Sequence, residues 1–322
     1  MRRIAAALFL WLCAAVPVAG QNAGDLPLVG YLRINTPDGN EPMATMYRTA
    51  LAALGWADGR NVRIEFRLAE GHPERFPELA EALVRDKASV IVASGLPAIR
   101  AAQRATTTIP IVAGDDDLLV EGLIASLAKP GGNTTGLSIL ATELDGKRLE
   151  ILTQIVPAAR RIALLRDPAN SVPARVHVVA DTARALGVGL LTVDVRGLPD
   201  LAPAFASFRA GGAEAVNILA STMLLSFRDE LGRLSVTQKL PAMCQWREMA
   251  EAGCLAAYGP TLREIAAIQS ALIDKMLKGA PPGETPVQQP TRFELVINLK
   301  TAKALGLTIP SLMLARADEI IE

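Results

Sequence analysis

Charge of one sign, histidine and aromatic side chains are what this chain has least of. Its 33 lysines and arginines balance 33 aspartates and glutamates over 322 residues. That balance leaves no basic stripe for nucleic acid or an anionic membrane surface, and there is no acidic tail. Only two histidines occur, His72 and His177. His72 precedes Pro73 at a helix start and His177 lies between two valines, with no catalytic partner nearby in sequence, which argues against general-base chemistry. The usual catalytic signatures are missing as well. There is no Gly-x-Ser-x-Gly elbow, no phosphate loop ending in Gly-Lys-Ser/Thr, no His-Glu-x-x-His and no Gly-x-Gly-x-x-Gly after a strand. Pro130-Gly131-Gly132-Asn133 joins a helix to a strand and reads as a tight turn. No catalytic residue, metal site or cofactor is expected. With aromatics at 4%, the core falls to Ala, Leu, Ile and Val, and any Trp or Tyr near a cavity mouth becomes informative.

Long apolar runs are also scarce, and the one at the N-terminus is too short to span a bilayer. Met1-Arg2-Arg3 gives a positive start, Ile4 to Val16 is an apolar stretch of 13 residues, and Val18-Ala19-Gly20 is a small-residue exit. Residues 1–20 therefore read as a cleavable export signal, with cleavage before Gln21 and a periplasmic location. Cys13 does not read as a lipid anchor, because Leu10-Trp11-Leu12 ahead of it lacks small residues. Without Arg2 and Arg3 the chain has 31 basic against 33 acidic residues, a net charge of −2. Cys244 and Cys254 remain, in a compartment where a disulfide can persist. A six-residue helix between them would rise about 9 Å, beyond the ~7 Å limit for bridged Cα atoms. Two buried thiols are the simpler reading unless the chain folds back.

A length about twice the usual ~150-residue domain points to two domains. Short β-branched runs alternate with amphipathic stretches, the pattern of parallel sheets covered by helices on both faces. Strands are expected at Leu28 to Ile34, Val62 to Leu68, Val90 to Ala93, Ile109 to Ala113 and Thr135 to Ile139. Helices fall between them, at Met43 to Leu54, Pro73 to Arg85, Leu96 to Ala105 and Val120 to Ala128. After a helix at Glu143 to Val156 the series restarts, with strands at Arg161 to Leu165, Leu190 to Val195, Ala215 to Leu219, Pro241 to Cys244 and Leu255 to Tyr258. Ala53-Leu54-Gly55 and Ala185-Leu186-Gly187 echo each other at matching helix ends, where Gly suits the C-cap. The fold class is α/β, with two Rossmann-like lobes joined by a hinge. Lobe 1 takes residues 27–140 plus about 260–290, and lobe 2 takes 141–259 plus about 291–322.

Polar residues stand just past the strand ends, where helix N-termini face the crevice of an open α/β sheet. They are Asn35 after the first strand, Ser94 after the third, and Asp116 and Asp117 of the triplet that begins with Asp115. The second half offers Asn170, Ser171, Ser221, Trp246 and Tyr258. Singly, each reads as a helix cap. Converging on one cleft, they read as a ligand site: acids for an ammonium group, Ser94, Asn170 and Ser171 for a carboxylate, Trp246 and Tyr258 for an apolar side chain.

Several segments together resemble a known family. They are Ala53-Leu54-Gly55 with Gly59-Arg60-Asn61-Val62, then Gly122 to Leu127 running into Pro130-Gly131-Gly132-Asn133-x-Thr135-Gly136. Arg247-Glu248-x-x-Glu251-Ala252-Gly253 leads to Tyr258-Gly259, and the tail runs from Pro290 to Pro310 with Ala317-Asp318-Glu319. With these the chain resembles the extracytoplasmic substrate-binding proteins of ABC transporters, of the tryptophan-binding type, over nearly its whole mature length. The resemblance implies a type I periplasmic-binding fold: two lobes joined by three crossovers that close on a small ligand, an amino acid of aromatic or apolar side chain. It implies a membrane permease as partner, a monomer and no chemistry. Carried over, the cleft positions are Ser94, Asp117, Asn170 and Tyr258. The sequence departs from the family at Leu118, Ser171, Ser221, Cys244 and Trp246, which puts the ligand rather than the fold in question. A ligand sensor for a receptor and an exported α/β hydrolase or transferase are the alternatives.

Overall fold

The computed structural model describes residues 26–322. The export leader at residues 1–20, its cleavage before Gln21 and Cys13 lie outside them. Two parallel sheets carry the fold. The first is built from β1 (Leu28–Arg33), β2 (Arg63–Leu68), β3 (Val90–Ser94), β4 (Ile111–Asp115) and β5 (Thr134–Ser138), in spatial order 2-1-3-4-5. Helices α1 (Pro37–Ala53), α2 (Phe76–Arg85) and α3 (Leu96–Ala105) connect the first four strands.

The chain then passes through α4 (Ala141–Ile155) into a second sheet. Its strands are β6 (Arg161–Arg166), β7 (Gly189–Asp194), β8 (Ala215–Ile218), β9 (Ala242–Cys244) and β10 (Ala256–Gly259), with α5 (Pro173–Leu186), α6 (Leu201–Ala210), α7 (Thr222–Ser226), α8 (Arg228–Thr237) and α9 (Arg247–Glu251) between them. Strands 7-6-8-9-10 repeat the order 2-1-3-4-5, so the two lobes share one topology. After β10, α10 (Leu262–Leu277) returns to pack on α1 and the first sheet. Gln288 then bridges Leu137 of β5 before the chain crosses again. Strand β11 (Glu294–Asn298) joins β10 antiparallel, and after α11 (Leu299–Leu305) and α12 (Ser311–Arg316), β12 (Glu319–Ile321) extends that edge. The sequence reading did not anticipate β12, whose three residues are too few for a strand signal. Three crossovers thus link the lobes, after β5, after β10 and before β11.

The elements follow from their residues. Helix α2 buries Phe76, Ala80 and Leu83 at helical spacing. Leu83 fits because Gly30 in β1 has no side chain: a Cβ there would lie 2.4 Å from Leu83 Cδ2. Helix α10 starts at Thr261, whose hydroxyl accepts from Glu264 N at 3.1 Å. Its buried stripe, Leu262, Ile265, Ala266, Gln269, Leu272, Ile273 and Met276, is apolar except for Gln269 and the adjacent Ser270. One apolar cluster runs from the first sheet across the lobe contact to β8, α7 and Trp246, and a second fills the far face of the second sheet beneath α4 and α12. Among the described residues no helix is long and apolar enough to cross a membrane. Cys244 and Cys254 are both buried and unpaired, and burial pushes the Cys244 thiol up.

One expected helix does not form. Residues Val120 to Ala128 are a series of turns. Gly122 takes φ +65, Asp117 Oδ1 accepts from Leu119 N and Val120 N, and Ser126 Oγ closes a loop with Lys129. Positive φ and side-chain capping inside the segment stop helix propagation. The turns also carry Glu121 inward, where it is 4% exposed.

Candidate ligand-binding site

Between the lobes lies a small cavity lined from both sides. The first lobe contributes the strand ends and two helices: Arg33 closes β1, Ser94 closes β3, Asp115 and Asp116 close β4, Tyr47 comes from α1, and Gln269 from α10. The second lobe supplies Asn170, Ser221, Thr222, Leu225 and Trp246. Leu137, Ile139, Leu262 and Ile265 make the remaining walls apolar.

Arg33 is the cavity's cation. It is 6% exposed, its Nη1 donates to Ser94 Oγ at 3.2 Å, and its guanidinium carbon lies 6.0 Å from the Tyr47 ring centre. Among the described residues no carboxylate lies within ion-pair distance of it. Beside it, the Tyr47 hydroxyl donates to Gln269 Oε1, which fixes the amide and leaves Nε2 without a partner. Gly114 makes room for that amide, since a Cβ there would lie 2.3 Å from Nε2. Burial raises the Tyr47 hydroxyl, with Arg33 opposing, so it stays a donor.

The acids form the opposite pole. Asp115 Oδ1 accepts from Asp116 N at 2.8 Å, while its Oδ2 has no partner. One oxygen from each of Asp115, Asp116 and Glu121 lies within 4.8 Å of the others, all three residues buried. The cation this cluster holds is Arg175 of α5, whose guanidinium contacts Asp116 from the first lobe and Asp145 from α4. Its Nη1 also donates to Asn170 O at 3.1 Å and its Nη2 to Ala220 O at 3.0 Å. Arg148 contacts Asp145 from the other side. Burial would raise Asp145, but Arg175 and Arg148 together hold it below the usual carboxylate range. Asp116 is raised well above that range by burial, with Arg175 opposing, and Asp115 is raised by burial.

Asn170 ties the lobes together. Its Oδ1 accepts from Leu96 N at 2.9 Å, at the N-terminus of α3, and its Nδ2 donates to Asp116 Oδ2 at 3.1 Å. Gly95 permits that approach. It has φ +89, and a Cβ there would lie 2.9 Å from Thr222 Oγ1 across the cleft. Ser221 is fully engaged as a helix cap, accepting from Met223 N and Leu224 N and donating to Asp167 Oδ2 at 2.7 Å.

Of the residues singled out from sequence, the fold brings Ser94, Asp116, Asn170, Ser221 and Trp246 to this cavity. Trp246 is 5% exposed and its Nε1 has no partner. Four others stand elsewhere. Asp117 is half-buried and caps the turn after β4, so the acid that reaches the cavity with Asp116 is Asp115. The Tyr258 ring packs toward Phe293 at 6.3 Å between centres and against the far-side cluster, because strand alternation turns it from the cleft. Ser171 follows the 3₁₀ turn Pro168–Asn170 and does not line the cavity. Asn35 faces a neighbouring hollow, shared with Arg33 and Glu248.

Arg33, Tyr47, Gln269 and Arg175 went unnoticed in the sequence. Gln269 carried a usable signal, a polar residue inside an otherwise apolar helical stripe. Arg33 carried none, since an arginine at a strand end reads as surface.

Residues 40–321 match the family model described as ABC transporter substrate binding protein. A curated relative, the tyrosine-binding protein of Clostridioides difficile (strain R20291), is 26% identical over 261 residues, covering 80% of this chain and 74% of its own. Among solved structures, a conserved domain protein from Vibrio cholerae shares 25% identity with a TM-score of 0.84, covering 92% of this chain and 100% of that one. An ABC domain from Streptococcus pneumoniae, solved in complex with L-Trp, gives a TM-score of 0.83 at 24% identity, with the same coverage of both chains. The fold these neighbours share with this chain is the type I periplasmic-binding fold.

Proposed function

We infer the function from a shown premise: the chain belongs to the ABC transporter substrate binding protein family. It is a solute-binding protein, and its ligand is an aromatic amino acid held in the cavity between the lobes. The observation that carries this reading is the pairing of opposite poles in one cavity. The guanidinium of Arg33, beside Ser94 and without a carboxylate partner among the described residues, suits a carboxylate, and the cavity-lining carboxyls of Asp115 and Asp116 suit an ammonium group. Leu137, Ile139, Leu225, Ile265 and Trp246 offer an apolar seat for the side chain. The names of the relatives, one tyrosine-binding and one solved with L-Trp, point to the same ligand class.

The lobes divide at residues 27–140 plus about 260–290 against 141–259 plus about 291–322. One lobe takes the ligand first, the hinge closes, and Asn170 and Trp246 complete the site. The closed form is what a membrane permease recognises in the periplasm, and the protein works there as a monomer. Micromolar capture asks for about −8 kcal/mol, within reach of a buried zwitterion with charge-assisted hydrogen bonds and one packed ring. A calorimetric titration with L-tyrosine, L-tryptophan and L-phenylalanine, repeated on Arg33→Met, tests the reading. Saturable binding that Arg33→Met removes supports it; tight binding that survives Arg33→Met refutes the assigned poles.

A further inference from the structure

We propose that Glu121 is a positioning residue of this site, held as a neutral carboxylic acid whose O–H donates to Asp115. Only its binding arm rests on the amino-acid reading. Both Glu121 oxygens are buried with no partner, and so is Asp115 Oδ2. Three buried acceptors at such close quarters cannot satisfy one another as carboxylates, which only accept. A single proton on Glu121 makes it a donor and provides Asp115 with a partner.

The surrounding charges demand that proton. Asp115, Asp116, Glu121 and Asp145 are all buried here, against Arg148 and Arg175. Arg175 is spent on Asp116 and Asp145, and Arg148 on Asp145. Arg100 of α3 donates to the Glu121 backbone carbonyl at 2.7 Å rather than to its carboxyl. Asp117 turns away to cap Leu119 and Val120. Like charges this close, with no free cation beside them among the described residues, cannot all ionise. Burial, then the charges of Asp115 and Asp116, push Glu121 up to about 11. An O–H to carboxylate bond is shorter and stronger than an amide's N–H bond. It holds Asp115 ionised and oriented, with lone pairs left for an ammonium group.

The sign of the pH effect follows. The folded protein keeps a proton that the unfolded chain gives up above its ordinary carboxyl value of about 4.3. Wild-type stability therefore falls as pH rises from there toward about 11, whereas Glu121→Gln, which is neutral throughout, escapes that loss.

The test uses the full chain, with Glu121→Gln and Glu121→Ala. Infrared difference spectra at pH 8 without ligand should show a protonated-carboxyl absorption in wild type that Glu121→Gln lacks. Thermal melts from pH 5 to 9 should show Glu121→Gln gaining on wild type as pH rises. For L-tyrosine at pH 7.5, Glu121→Gln should bind within about threefold of wild type and Glu121→Ala at least about tenfold more weakly. Identical spectra, or a melting gap that stays flat with pH, would overturn the neutral acid. Wild-type affinity in Glu121→Ala would overturn the positioning role. If wild type binds no aromatic amino acid, the ligand reading and the positioning role fail, and the spectra and melts still decide the protonation state.

Discussion

Replacing Arg175 with leucine tests the electrostatic frame of the cleft in its most demanding form. Arg175 is 1% exposed and contacts one carboxylate from each side of the lobe junction, Asp116 and Asp145. Asp145 keeps Arg148 after the substitution, so Asp116 is the group left uncompensated. An isolated buried carboxylate takes a proton instead of staying charged. Taking up a proton at pH 7, starting from an ordinary value of about 3.9, costs about 1.4 kcal/mol per pH unit, which sets a ceiling of about 4 kcal/mol on the loss, because burial already pushes Asp116 up in wild type and part of that cost is borne there. That ceiling lies within the ~3–5 kcal/mol measured when one member of a buried pair is removed. The penalty should therefore depend on pH. It falls to at most about 1.5 kcal/mol at pH 5, because less work is needed to neutralise Asp116 there. Wild type has the opposite trend at the low end: Asp145 is held below its ordinary value, so its contribution is present above that value and disappears as pH falls through the depressed one. Urea unfolding of both proteins at half-unit steps from pH 5 to 8 measures the difference directly. A loss under 1 kcal/mol at pH 7, or a loss that does not change with pH, would refute the reasoning.

Arg33→Met should weaken binding of an aromatic amino acid at least about 100-fold in a calorimetric titration, since it strands a buried carboxylate without its charge partner. Its melting temperature should stay near wild type, because Arg33 has no carboxylate partner to orphan within the described residues. Asp117→Ala should leave affinity unchanged within about twofold while losing about 1 kcal/mol of stability, from two uncapped turn amides. Gly95→Ala should favour the open protein: the new Cβ meets Thr222 Oγ1 at 2.9 Å, and φ +89 is unfavourable for alanine. Small-angle scattering with saturating L-tyrosine should then show a larger radius of gyration than for wild type, and equal radii would contradict the claim that the Gly95–Thr222 approach governs closure.

The fold was legible because it is written in periodicity. The nine helices and strands expected in the first half depend on alternation that local sequence carries, and of these only the helix Val120 to Ala128 does not form, where Gly122 and the Asp117 cap interrupt an apolar stretch. The strand expected near Phe293 to Asn298 forms as β11, but its antiparallel pairing escaped because pairing direction is a tertiary property, and the three-residue β12 escaped because it is too short to leave a signal. The site was half legible. Ser94, Asp116, Asn170, Ser221 and Trp246 stand at strand ends or helix starts, where topology points residues into the crevice. Tyr258 was placed wrongly because a strand offers two faces and the reading had no register to choose between them. Asp117 was preferred over Asp115 for want of the same information. Arg33 and Arg175 became visible only through their partners, which lie 61 and 59 residues away in Ser94 and Asp116. Long-range pairing of this kind leaves no trace in a local pattern.

The most direct measurement is an isothermal titration of the purified wild-type protein, unfolded and refolded to remove any co-purified solute, with L-tyrosine and L-tryptophan. A single saturable site of micromolar affinity or better is expected for at least one of them, lost in Arg33→Met. Refolded, cooperatively melting protein that gives no binding heat and no thermal shift with either amino acid would contradict it.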